Sequence, residues 1–151
     1  MDKEKIIQVI SGLVPVVVPD TSRDPLEIRT DASDLRKLAE ILRDNDQLRF
    51  NYLISLFGID WQDHFTLVYH FESTATGQSL IVKTDIPDHD HPEADTLSDL
   101  WKTAEYQERE VYDLMGVTFR NHPDLRRLFL EEGWDFPLRK DYRDEINFIE
   151  R

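Results

Sequence analysis

Phe65, Leu67, Tyr69 and Phe71 alternate with Thr66, Val68, His70 and Glu72, and further on Leu80, Val82, Thr84 and Ile86 alternate with Ile81, Lys83 and Asp85. A side-chain period of two belongs to a strand that lays one face on a core. Ser73 to Gln78 carries Gly77 and reads as a hairpin loop, so the spacing predicts two antiparallel strands. Whatever else the chain folds into must be arranged around this pair.

Helical spacing flanks it on both sides. Ile6, Ile7, Val9, Ile10 and Leu13 predict a short first helix ending about Gly12. Val14 to Val18 and Leu26 to Thr30 read as short edge-like strands around the turn residues Pro19-Asp20-Thr21-Ser22. Asp31 or Ser33 can cap a second helix, whose Leu35, Leu38, Ala39 and Leu42 form one stripe while Arg36, Lys37, Glu40 and Arg43 face water. The apolar run from Phe50 to Trp61 suits a strand buried on both faces. Pro87 to Asp95 reads as an acidic loop, and Leu97, Leu100, Trp101 and Ala104 resume helical spacing in a helix that stops at Gly116.

From Arg120 to Arg151 neither period is sustained. A chain of 151 residues holds one ordinary core. The expected organisation is a single domain over 1–119 and an irregular C-terminal arm over 120–151. Charge divides at the same place: residues 1–119 carry 11 basic against 23 acidic side chains, and residues 120–143 carry 6 against 5. A tail of that length with no period either lies along its own domain or reaches for another chain.

Composition removes several functions. Without a cysteine the chain can form no disulfide, thiolate zinc site or cysteine-ligated iron–sulfur cluster. A net charge of -13 opposes nucleic-acid binding, which draws most of its affinity from Lys and Arg on phosphates, and opposes an anionic membrane surface. No apolar run approaches the roughly 20 residues of a membrane span, and the N-terminus lacks the pattern of a secretory signal.

Three blocks stand in order: Glu108-Arg109-Glu110-Val111-Tyr112-Asp113-Leu114-Met115-Gly116-Val117, then His122-Pro123-Asp124-Leu125-Arg126-Arg127-Leu128, then Pro137-Leu138-Arg139-Lys140-Asp141-Tyr142. Their order and spacing resemble the signature of the family of C-type subunits of respiratory NADH-quinone oxidoreductase (complex I). Asn51-Tyr52-Leu53 through Asp60, Val68-Tyr69-His70 and Leu80-Ile81-Val82-Lys83 extend the resemblance upstream. The chain departs from the family at Tyr106, where a Trp is common, and at Gly133-Trp134-Asp135-Phe136, which lacks a Gly-His often found there.

The resemblance implies an α+β fold in two layers, with helices on one side of a mixed sheet and the arm laid against a large quinone-site core subunit. It implies a peripheral subunit on the cytoplasmic side of the inner membrane, beside cluster-bearing neighbours. Iron–sulfur clusters, FMN and quinone are then expected in the partner subunits, with no catalytic, cofactor-binding or metal residue in this chain. The signature residues expected at the subunit interface are Glu108, Arg109, Glu110, Tyr112, Asp113, Gly116, His122, Pro123, Arg126, Arg127, Pro137, Leu138, Arg139, Lys140, Asp141 and Tyr142.

Glu105, Arg109 and Asp113 are four apart and can pair along one helix face. Glu108, Arg109 and Asp113 are expected to bond at a subunit boundary. Arg126, Arg127, Arg139 and Lys140 suit either a partner's carboxylates or the chain's own abundant acids. His122 before Pro123 reads as a turn histidine with a fixed hydrogen bond. Asp88-His89-Asp90-His91 resembles a metal cluster but reads better as an exposed acidic loop. Tyr69, Phe71, Trp101 and Phe50 read as core packing rather than a cofactor box.

The expected function is that of a structural and assembly subunit without a cofactor of its own. The same role in a related membrane-bound hydrogenase or a ferredoxin- or coenzyme-linked dehydrogenase is a close alternative. An acidic interaction module unrelated to respiration is a distant one. A free-standing acid–base enzyme is disfavoured because Glu108 and Glu110 point about 200° apart on a helix.

Overall fold

The computed structural model describes residues 3–14, 18–127 and 135–141. The elements run α1 (Lys3–Leu13), β1 (Val18–Asp20), β2 (Leu26–Asp31), α2 (Ala32–Asp44), β3 (Tyr52–Asp60), β4 (Phe65–Glu72), β5 (Ser79–Ile86), β6 (Glu93–Asp95), α3 (Lys102–Met115) and β7 (Thr118–Arg120). Five strands form one sheet in the order β1-β2-β5-β4-β3. β2 and β5 run parallel and the other neighbours antiparallel, so the sheet is mixed.

The alternation in β4 and β5 decides which side is covered. Phe65, Leu67, Tyr69 and Phe71 stand opposite Ile86, Thr84, Val82 and Leu80. All are buried, and they share one core with Ile6 and Ile10 of α1, Leu35, Leu38 and Leu42 of α2, and Ala104 and Val111 of α3. The fold is therefore the expected α+β arrangement of helices on one side of a mixed sheet. The opposite face carries paired charges over β2 and β5, such as Lys83 with Glu27 at 3.1 Å.

Several local expectations need correction. Val14 closes α1, donating its N–H to Ile10 O at 2.7 Å, rather than opening a strand; residues 15–17 of that expected strand lie outside the described residues. Asp31 is the N-cap residue of α2 but makes no side-chain cap bond, because it is still paired with Asp85 at the end of β2. Arg36 faces water only in part: its side chain is 30% exposed, its fork grips Asp99 at 2.6 and 2.5 Å, and it also reaches Thr96 O at 3.0 Å.

β3 is not buried on both faces. It is the last strand of the sheet, and Tyr52 and Phe57 on it are half exposed, as is Trp61 just beyond it. A register shift between Leu53 and Ser55 makes a bulge at Ile54. Residues 97–101 form turns rather than helix, and α3 begins only at Lys102. The expected loop ends in β6, which pairs in parallel with β7 as a separate two-stranded sheet.

Candidate functional site

α3 carries the first signature block, and its buried stripe includes two acids. Glu108 is fully buried: the Thr96 hydroxyl donates to Oε1 at 2.5 Å and the Leu97 N–H to Oε2 at 2.8 Å. The carboxylate thus fastens the turns that lead into its own helix. Burial pushes its pKa up to about 7, against the lowering effect of the Leu97 N–H and the Thr96 hydroxyl.

Asp113 is the second buried acid, and its partner comes from the second block. Arg127 donates from Nε to Asp113 Oδ1 at 2.5 Å, and from Nη2 to Asp113 O at 3.0 Å and Asp135 O at 3.1 Å. Its guanidinium lies 4.8 Å over the Phe136 ring. The pairing of Arg109 with Glu105 and Asp113 along the helix is therefore not made. Arg109 instead donates to the carbonyls of Arg126 at 3.4 Å and Arg127 at 3.2 Å, holding the returning chain against α3.

α3 stops where Gly116 takes a left-handed φ of 79°. A Cβ there would stand 2.7 Å from Phe136 Cδ2, so the glycine supplies both the turn and the seat for that ring. Tyr112 packs against the same ring, with centroids 5.9 Å apart. His122 accepts the Asp124 N–H at Nδ1 (3.0 Å), which leaves Nε2 to donate to Glu105 O at 2.9 Å. It is the turn histidine with fixed bonds that its position before Pro123 suggests.

The third block is tied down across the molecule. The Leu138 N–H donates to Leu114 O at 2.9 Å and the Lys140 N–H to Asp60 Oδ2 at 2.7 Å. Asp60, at the end of β3, also binds the Gln62 N–H at 2.8 Å and His89 Nε2 at 2.7 Å. Burial raises the Asp60 pKa, but the two N–H groups and the His89 ring outweigh it and hold it below the ordinary value.

Arg139 closes this network by donating to His89 Nδ1 at 3.0 Å, His89 O at 2.9 Å and Asp141, while lying 5.2 Å over the Phe65 ring. The Arg139 bond holds Asp141 below the usual carboxylate range. His89 itself stacks on Phe65, with centroids 4.6 Å apart. The reading of 88–91 as an exposed loop is therefore wrong for His89. Among the described residues no three potential ligands gather for a metal.

The described parts of the arm, 120–127 and 135–141, thus lie on the chain's own body. Of the four basic residues left open by the sequence, Arg127 and Arg139 pair with Asp113 and Asp141, and Arg126 pairs with Asp124 at the surface. Lys140 uses its backbone and leaves its side chain exposed. Pro123 is exposed, Glu110 half-buried, and Tyr142 lies outside the described residues.

Sequence reasoning missed Asp60, Thr96 and Phe136 as anchors. Of the exposed large apolar side chains among the described residues, Phe57 and Leu138 share one groove, lined also by Gly58, Glu110 and Met115. Asp60 is held by two N–H groups and His89, Asp113 by Arg127, and Glu108 by the Thr96 hydroxyl and the Leu97 N–H, so these three buried acids fix the course of the chain around them.

Comparison with known proteins accords with the signature blocks. Residues 28–146 match the family described as "Respiratory-chain NADH dehydrogenase, 30 Kd subunit". The chain is 44% identical over 110 residues to the C/D subunit of NADH-quinone oxidoreductase from Phocaeicola vulgatus, a match covering 72% of this chain and 21% of that protein. It therefore spans about a fifth of the length of that C/D relative. Against the C subunit of NADH-quinone oxidoreductase from Roseiflexus sp. (strain RS-1) it is 31% identical over 147 residues, covering 93% of this chain and 84% of the other. A chain in the structure of the membrane-bound sulfane sulfur reductase, an archaeal respiratory membrane complex, superposes with a TM-score of 0.82 at 27% identity, covering 95% of this chain and 86% of that one.

Proposed function

The chain belongs to the respiratory-chain NADH dehydrogenase 30 Kd subunit family, and from that membership we propose that it is a peripheral-arm subunit of a proton-translocating NADH-quinone oxidoreductase. It braces the large quinone-site core subunit and carries no cofactor itself. FMN, the iron–sulfur clusters and quinone belong to partner subunits, to which the cysteine-free sequence leaves all thiolate ligation. Relatives that carry C and D on one polypeptide support the D-type subunit as the immediate neighbour.

The observation that carries this reading is the interlock of the three signature blocks. Arg127 on Asp113 and Lys140 on Asp60 fix the course of residues 120–127 and 135–141 before any partner arrives. A surface held in one geometry loses less freedom on docking, so it can position catalytic elements of other chains. Catalysis by the isolated chain is not expected.

No helix of the described residues is long and apolar enough to cross a membrane. Attachment at the cytoplasmic side of the inner membrane would then come through the complex. Purification of the tagged chain from detergent-solubilised membranes tests the proposal. Cluster-bearing and membrane-spanning subunits should co-purify, and deletion of the gene should abolish NADH-quinone activity. A chain that purifies alone, from cells whose activity survives its deletion, would refute it.

The likeness to the archaeal respiratory complex favours one second reading, the equivalent subunit of a machine fed by another donor. The donor oxidised by the purified complex separates the two.

A further inference from the structure

β3 ends the sheet, so alternate residues along it turn their N–H and C=O groups away from β4. Side chains of Trp101 and α3 cap carbonyls just before it and in its first half. Trp101 Nε1 donates to Phe50 O at 2.9 Å, Thr103 Oγ1 to Leu53 O at 3.1 Å and Gln107 Nε2 to Ile54 O at 3.2 Å, next to the bulge. Past Ile54 the capping stops. Among the described residues, nothing outside β4 bonds to the backbone of residues 55–59.

Sheet edges that stay single are guarded by charge, proline, a bulge or a covering helix. Ser55-Leu56-Phe57-Gly58-Ile59 has no charge, proline or bulge within it, and α3 packs against Gly58 through Val111 and Met115 without bonding to the strand's backbone there. Phe57 is 50% exposed there, and the arm brings Leu138, 44% exposed, to the same groove. Gly58 lets α3 approach the strand closely: a Cβ on it would meet Met115 Sδ at 2.7 Å.

We propose that the edge of β3 between Ser55 and Ile59 takes an extended strand of the neighbouring large subunit into the sheet, with one apolar side chain of that strand packed on Phe57 and the next residue turned to the other face, toward Leu138 and Glu110. Main-chain hydrogen bonds supply the affinity of such an addition and alternate side chains its specificity.

Charge selects the occupant. Glu110 lines the groove, and the chain carries a net -13, so two copies meeting edge to edge would oppose acid with acid. A partner strand with a Lys or Arg beside its apolar anchor matches both features. The inference rests on the family role proposed above, and the C/D relatives hold the same two bodies on one polypeptide, where tethering raises their effective concentration.

Amide hydrogen exchange on the full chain, alone and in the purified complex, tests it. Outward amides within residues 55–59 should exchange about 100-fold more slowly in the complex. Phe57→Lys, at a half-exposed position, should weaken association with the large subunit about tenfold. Equal exchange at residues 55–59 in an intact complex overturns the inference and leaves the family role standing. Protection that grows with concentration of the chain alone, together with a dimer in sedimentation, overturns it in favour of self-pairing. Absence of any association with the large subunit removes the role and the inference together.

Discussion

Lys140 donates its backbone N–H to Asp60 Oδ2 over 2.7 Å although 80 residues separate the two. The carboxylate that receives it has a side chain only 1% exposed. Removing that acceptor takes one hydrogen bond each from the Lys140 N–H, the Gln62 N–H and His89 Nε2.

Asp60→Ala should therefore destabilise the chain by about 3 kcal/mol in urea unfolding and speed exchange of the amides at 138 and 140. Because the folded pKa of Asp60 lies below its ordinary 3.8, its contribution is complete above that pH and is lost as pH falls below it. The stability difference between wild type and Asp60→Asn should be flat near neutrality and shrink only in acid. Unchanged exchange at 138 and 140 would count against the anchor.

Asp113 and Arg127 are buried to 0% and 6% exposure in their side chains. Losing either alone removes the opposite charge that the other is bonded to in a buried place, so Asp113→Ala should cost about 3–5 kcal/mol. Asp113→Leu combined with Arg127→Met should recover much of it. A double-mutant cycle by chemical denaturation measures the coupling, and additive losses would rule out a direct pair.

Gly116→Ala meets two penalties, a left-handed φ of 79° and the Phe136 ring at 2.7 Å. We expect a loss of about 2 kcal/mol, of which the backbone part is about 1. Adding Phe136→Ala should relieve the steric part, so the double variant loses less than the sum of the two single ones. Thermal unfolding of the four proteins decides it.

Burial raises Glu108 from 4.5 to about 7, so between those values the unfolded chain has released the proton that the folded chain still holds. Its contribution is full below pH 4.5 and is lost as pH rises through about 7. Relative to Glu108→Gln, wild type should weaken by on the order of 3 kcal/mol across that window. Parallel denaturation curves of the two proteins at each pH would show that the carboxyl stays ionised throughout.

The hairpin of β4 and β5 and the stripe of α2 could be read from the sequence because burial there repeats with the element's own period. β3 misled because a mostly apolar run also fits an edge strand whose outer residues, Phe57 among them, stay half exposed. The i,i+4 spacing of Arg109 and Asp113 allows a pair but cannot register Arg127, which arrives 14 residues later and takes the acid. Asp60 and His89 left little local signal: apart from the Gln62 N–H beside Asp60, the hydrogen-bond partners that fix them lie at separations of 29 to 80 residues. The signature blocks themselves were legible; that they bind one another was not.

Much of the fastening of residues 120–127 and 135–141 runs through main-chain atoms: the amides of Leu138 and Lys140, and the carbonyls of Leu114, Met115, Arg126 and Arg127. Substituting the side chain at 138 or 140 leaves those links intact. Mutation can thus rewrite the outward chemistry at these positions to suit a new neighbour without loosening the backbone beneath. One scaffold can be re-tailored for different machines while its internal seams stay the same.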